Sequence, residues 1–218
     1  MSKITLLNDG TEYSDFFARK IEADGNIVTR LTEKQQDTTS SEEMIEAPKN
    51  LEILWNKRSP LSARNAILTI LNKYSCLNEA IIIYQPGFFN KTFHEMSSAV
   101  YDLQIDRWIK GYSYLLKEII QLYIKQKEGR LSFILDKGGV TTLTPLENAI
   151  YNYLKILLKD LSVLYQNEPF QIFCFESETP KREEFLLFYD KVINDSKFTP
   201  GKIHRFGEKK SIFDFVRN

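Results

Sequence analysis

A chain of 218 residues, 43% of them hydrophobic, is long enough to bury one sizeable core. Its 29 basic and 29 acidic residues cancel, which removes the global field that would draw it to DNA, RNA or an anionic membrane. Cys76, Cys174, His94 and His204 form no closely spaced ligand cluster, so no metal is expected, and the cysteines read as small hydrophobes in a reducing compartment.

The N-terminus, MSKITLLNDG, has neither the basic start nor the long apolar run of a signal peptide, and no stretch is apolar enough to cross a bilayer. A soluble cytoplasmic protein is expected. Lys3 to Leu7 reads as a strand broken at Asn8-Asp9-Gly10, and Tyr13 to Asp24 as a helix with Phe16, Phe17, Ala18 and Ile21 on its apolar side. Gly25 caps that helix, and Asn26 to Leu31 is a second strand. Residues 32–50 are polar, with Met44 and Ile45 as their large apolar side chains, and are expected to form a mobile loop.

Leu51 to Trp55 is a third strand. Ser59 and Pro60 open a helix whose stripe is Ala63, Ile67, Ile70, Leu71 and Tyr74. Ala80 to Tyr84 is a continuous apolar run ended by Gln85-Pro86-Gly87, the pattern of a strand covered on both faces. A long helix is expected from Ser97 to Lys127, its apolar residues covering more than one face. Arg130 to Leu135 is a strand, Thr144 to Gln166 a helix, Phe170 to Phe175 a strand, Arg182 to Asn194 a helix and Lys202 to Phe206 a last short strand. Strands alternating with helices, without tight hairpin signals, predict an α/β fold: a doubly wound parallel sheet in a three-layer αβα sandwich, one domain over residues 1–218.

Tyr151 and Lys155 lie one helical turn apart on one face of the 144–166 helix, where an ammonium can lower a phenol's pKa and let it act as acid or base. The spacing alone is weak, since Tyr123 and Lys127 repeat it. Its neighbours give it context. AIIIYQPG at 80–87, IDRWIKG at 105–111, GRLSFILD at 129–136, the Tyr151–Lys155 pair and FTPGKIHRFG at 198–207 occur in the order of corresponding segments of the short-chain dehydrogenase/reductase (SDR) family, which the chain resembles over nearly its whole length.

The resemblance implies a Rossmann-like domain, NAD(P) as cofactor if the protein is active, Tyr151 as proton donor and acceptor, and Lys155 lowering its pKa and holding the nicotinamide ribose. Asp136 stands at the position of the family's serine and Trp108 at that of its asparagine. Thr141, Thr142 and Thr144 are the hydroxyls near enough in sequence to substitute. Trp55 and Asn56 close the third strand where an aspartate often meets adenine.

The family's first turn needs glycines so that backbone N–H groups can approach the cofactor's pyrophosphate. Here NDGTEYSDFF offers Asp9 or Gly10, Glu12 and Ser14, of which Gly10 alone suits the task, and Asp9, Glu12 and Asp15 put negative charge where two phosphates would sit. FQIFCFESETP places Glu176 and Glu178 where the family runs into Pro-Gly.

The residues leave three expectations open. The first is a pseudoenzyme without a dinucleotide, serving as an assembly subunit or ligand binder. It would be a homo-oligomer, or a heteromer with an SDR relative, through the 97–127 and 145–166 helices. The second is an NAD(P)-dependent oxidoreductase with an atypical cofactor loop. The third is a binder of a cationic or polyhydroxy ligand in the cleft at the strand ends, drawn by Glu12, Asp136 and Glu176.

Overall fold

The helix starts are written in local chemistry. Ser59 precedes Pro60 and accepts a hydrogen bond from the Ser62 amide, so α2 (Pro60–Tyr74) begins where a missing proline N–H costs nothing. Thr144 does the same for α5 (Pro145–Leu164), in a capping box with Glu147. In the computed structural model, residues 2–8, 11–33, 51–87, 92–140, 142–194 and 198–207 are described. The remaining elements are β1 (Ile4–Asn8), α1 (Glu12–Ala23), β2 (Ile27–Thr32), β3 (Leu51–Leu54), β4 (Glu79–Tyr84), α3 (Ser98–Gln104), α4 (Gly111–Gln126), β5 (Arg130–Asp136), β6 (Gln171–Ser177), α6 (Arg182–Asn194) and β7 (Ile203–Phe206).

The seven strands form one parallel sheet in the order β3-β2-β1-β4-β5-β6-β7. Strand alternation sends one set of side chains to α2, α4 and α5 and the other to α1 and α6. The sheet is therefore covered on both faces, the doubly wound α/β sandwich expected from the sequence. Order reverses between β1 and β4, the switch point at which such sheets open a crevice.

Two differences from the expected elements bear on function. The loop expected to begin at Thr32 begins later, since Thr32 is the last residue of β2 and pairs with Leu54. Residues 34–50, the body of that loop, lie outside the described residues. The long helix expected over 97–127 is divided by a π turn at Ile105–Lys110. Gly111 follows it, and a Cβ there would lie 2.7 Å from the Lys57 carbonyl oxygen. Glycine thus lets α4 approach the segment after β3.

Candidate functional site

The amphipathic α5 buries Leu146, Ile150, Tyr151, Leu154 and Leu158, and this stripe turns Tyr151 and Lys155 toward the end of β6. There both meet Glu176. The Tyr151 hydroxyl donates to Glu176 Oε1 at 2.6 Å, and Lys155 Nζ donates to Oε1 at 2.8 Å and Oε2 at 2.9 Å. Arg205, beside Glu176 in β7, gives its Nε to Oε2 at 3.1 Å, and Lys137 Nζ stands 3.9 Å from Oε1.

Glu176 is 2% exposed, yet it is the most heavily paired carboxylate of the site. Burial pushes its carboxyl up, but hydrogen bonds from Lys155 and Tyr151 and the charges of Lys155 and Lys137 outweigh that, so it titrates below its usual value. Tyr151 moves the other way: burial first, then the hydrogen bond and charge of Glu176, raise its pKa. A phenol so placed keeps its proton, whereas general acid–base work near neutrality needs a lowered pKa.

The sequence placed Glu176 beside the pocket but not against the pair. The available signal was the period of β6: Ile172 and Cys174 face α5, so Glu176, two further on, shares that face.

The structure does not bring Asp136 to Tyr151. Leu135 packs on the α5 side, so Asp136 faces the other side of the sheet, where its charge acts on Tyr13 of α1. The carboxylate that meets Tyr151 is Glu176, not Asp136. Asp136 is fully buried; its Oδ1 accepts from the Gly138 amide at 2.8 Å, and its Oδ2 has no partner among the described residues. Burial pushes its pKa up to about 6, against the opposing Gly138 bond.

Trp108 lies in the π turn, 5% exposed, and donates to Gln104 Oε1 at 2.8 Å. Its ring stacks on Tyr112 and meets Tyr84 edge-on, and Tyr84 in turn stands between Trp108 and Tyr151. Lys57, a residue the sequence did not single out, is buried among Trp55, Trp108 and Tyr112, 4.5 Å from the Trp108 ring centre. Its ammonium pairs with Glu33, which Arg107 also binds, and burial lowers its pKa.

Of the candidate hydroxyls, Thr144 is consumed by the capping box, Thr142 lines the cleft near β5, and Thr141 lies outside the described residues. That cleft, about 530 Å3, is bounded by Lys137, Gly139, Val140, Thr142, Leu143, Asn148 and Glu178, with Lys137 and Glu178 paired at 3.3 Å. Asp136 and Glu176 are turned inward. They therefore do not supply the acidic lining expected for a cationic ligand.

At the first turn, Asp9 and Gly10 lie outside the described residues, and Glu12 is the first residue of α1. Thr11 caps the helix: the Ser14 amide that could face a phosphate donates to the Thr11 hydroxyl at 3.1 Å and the Thr11 carbonyl at 3.0 Å. The Ser14 hydroxyl bonds the Asn8 carbonyl at 2.6 Å. Asn8 bridges to β4, accepting from the Ile83 amide at 2.6 Å and donating to its carbonyl at 2.9 Å. Tyr13 spans from α1 to the end of β6, with its hydroxyl 3.0 Å from Ser177 Oγ. Among the described residues no cluster of His, Cys, Asp or Glu is suited to a metal, and no helix is long and apolar enough to cross a membrane.

The strand order, the two-sided helix cover and a Tyr–Lys pair on the helix after β5 define an SDR-like, Rossmann-like fold. Solved structures agree on that fold. A short-chain dehydrogenase from Leptospira borgpetersenii with bound NAD+ superposes with a TM-score of 0.77 at 10% identity, over 94% of this chain and 91% of that one. A 3-ketoacyl-(acyl-carrier-protein) reductase from Brucella melitensis complexed with NADH gives 0.72 at 9% identity, covering 93% and 96%. A short-chain dehydrogenase from Streptomyces avermitilis gives 0.73 at 10% identity, covering 94% and 88%. No family profile and no curated protein sequence matches the chain.

Proposed function

We propose that the protein is a cytoplasmic pseudoenzyme of the SDR fold, which binds a partner or small ligand and does not transfer hydride. The observation that carries this reading is the bonding of Glu176 to both Tyr151 and Lys155. An ammonium neutralised by an internal carboxylate has lost its means of lowering a phenol's pKa or holding a ribose. The capped start of α1 and the Tyr13 bridge add to the misfit with a dinucleotide, because they occupy groups that would otherwise face its phosphates. Thr11 and Ser14 satisfy each other where a pyrophosphate would need free amides.

The same helices supply an assembly surface. Most apolar residues of α4 are spent inside the core, but α5 exposes Tyr153, Ile156, Val163 and Leu164 opposite its buried stripe, and α4 adds Ile124. A homodimer or a heteromer with an active relative through α4 and α5 would cover them.

The competing reading is an NAD(P)-dependent oxidoreductase in which Tyr151 exchanges the proton and Lys155 assists. What favours it is that both side chains stand on the same face of α5, and that two solved neighbours hold NAD+ or NADH. It requires Glu176 to release both. Titration with NADH and NADPH decides. The pseudoenzyme reading expects no energy transfer from Trp55 or Trp108 and no rise in melting temperature at millimolar cofactor. Either signal would sink it.

A further inference from the structure

β7 is the edge of the sheet, with α5 on one side and α6 on the other. Between them lies a cleft of about 590 Å3, lined by Lys159 of α5, Phe188 and Val192 of α6, and the chain from Gly201 to Arg205. The volume is in the range of small-molecule sites. In a chain whose charges cancel, the charged side chains among these lining residues, Lys159, Lys202 and Arg205, are all basic. Glu176 offsets part of the charge of Arg205, which it binds through Nε, and Lys159 and Lys202 raise the local potential for an anion. Phe188, Val192 and Ile203, half-buried, supply apolar wall.

The cleft is also braced. Buried Glu176 holds Arg205 through its Nε, so this arginine is positioned before any ligand arrives. The Gly201 amide donates to Ser162 Oγ at 3.1 Å, and that hydroxyl donates to the Ile172 carbonyl, which fixes the turn before β7 against α5. Groups held in place in advance lose less freedom on binding.

We propose that this cleft binds an organic acid, its carboxylate, sulfonate or phosphate set among Lys159, Lys202 and Arg205 and its apolar body against Phe188 and Val192. Because Arg205 also bonds Glu176, occupancy is coupled to the Tyr151–Lys155 cluster. The binding itself stands whether or not a dinucleotide is bound.

The test uses the full chain and anilinonaphthalene sulfonate, an aromatic sulfonate that fluoresces in apolar surroundings. Saturable enhancement is expected, weakened by salt. Lys159→Ala combined with Lys202→Ala should weaken it about tenfold, since each exposed charge pair contributes modestly. Both side chains are exposed, so an unchanged melting temperature separates loss of binding from loss of fold.

Equal binding by the double variant overturns the proposal. So does displacement of the dye by NADH, which would put it in the cofactor cleft and would separately show that a dinucleotide binds. Enhancement per protomer that falls as protein concentration rises would mean that a second copy covers the cleft, and also overturns it.

Discussion

Replacing Glu176 by alanine should strip the site of the group that three side chains share. Removing one partner of a buried ion pair costs about 3–5 kcal/mol. Lys155 keeps 22% and Arg205 45% of its side chain in solvent and both can rehydrate, which reduces this part to about 2–3 kcal/mol. The buried Tyr151 hydroxyl also loses its acceptor, adding about 1 kcal/mol. A total near 3–4 kcal/mol is a large share of a domain's stability, typically about 5–15 kcal/mol. Urea unfolding at pH 7 measures it, and Glu176→Gln, which keeps an acceptor but not the charge, should lose about half as much.

The pH dependence supplies a second check. The folded-state pKa of Glu176 is depressed, so its stabilisation is present above the unfolded value of about 4.3 and lost as pH falls through the folded value. The gap between wild type and Glu176→Gln should therefore close below that pH. A loss of less than about 0.5 kcal/mol for the alanine variant at pH 7, the size of an exposed pair, would refute the account of Glu176 as the centre of the cluster.

Asp136 has the opposite sign. Its folded pKa of about 6 lies above the unfolded value, so ionisation opposes folding, and stability falls as pH rises from about 4 to 6. Asp136→Asn keeps an acceptor for the Gly138 amide and should stabilise the protein at pH 7.5 by about 3 kcal/mol, with the gain vanishing near pH 4, as read by thermal melts across pH. Gly111→Ala should cost about 2–3 kcal/mol, because the new methyl meets the Lys57 backbone; a denaturation midpoint within error of wild type would show that the π turn yields to it.

Local period and cap chemistry made the elements legible in the sequence. Ser59-Pro60 and Thr144-Pro145 mark their helices, and the apolar run before Gln85 marks β4. The order of elements then leads to the sheet topology. The π turn was not legible, because it arises where α4 closes on Lys57 through Gly111, a contact between segments far apart in the chain. It also explains why the 97–127 pattern covered several faces when read as one helix: an inserted residue rotates the stripe.

At the site, the Tyr151–Lys155 spacing was visible and its partner was not. Glu176 lies 25 residues beyond Tyr151 and is brought to it by the α5–β6 crossover. The side of the sheet that Asp136 takes was not legible for a simpler reason. One step along a strand changes the face, and the sequence match fixed its position without fixing its side.

The junction of β1 with β4 has a mechanical meaning. Backbone pairing there runs over Thr5–Leu7 against Glu79–Ile81, while β4 keeps step with β5 along its whole length. Beyond Leu7 the two strands are sewn by the Asn8 side chain alone among the described residues, through its two bonds to Ile83. That short seam is clamped from both faces, by Tyr13 and Phe17 of α1 packing edge-on against Phe185 and Tyr189 of α6 and by α2 packing against α4. The crevice beyond Leu7 is therefore a fixed notch rather than a hinge: the Asn8 amide keeps the diverging strand ends aligned while the helices on either face resist their parting.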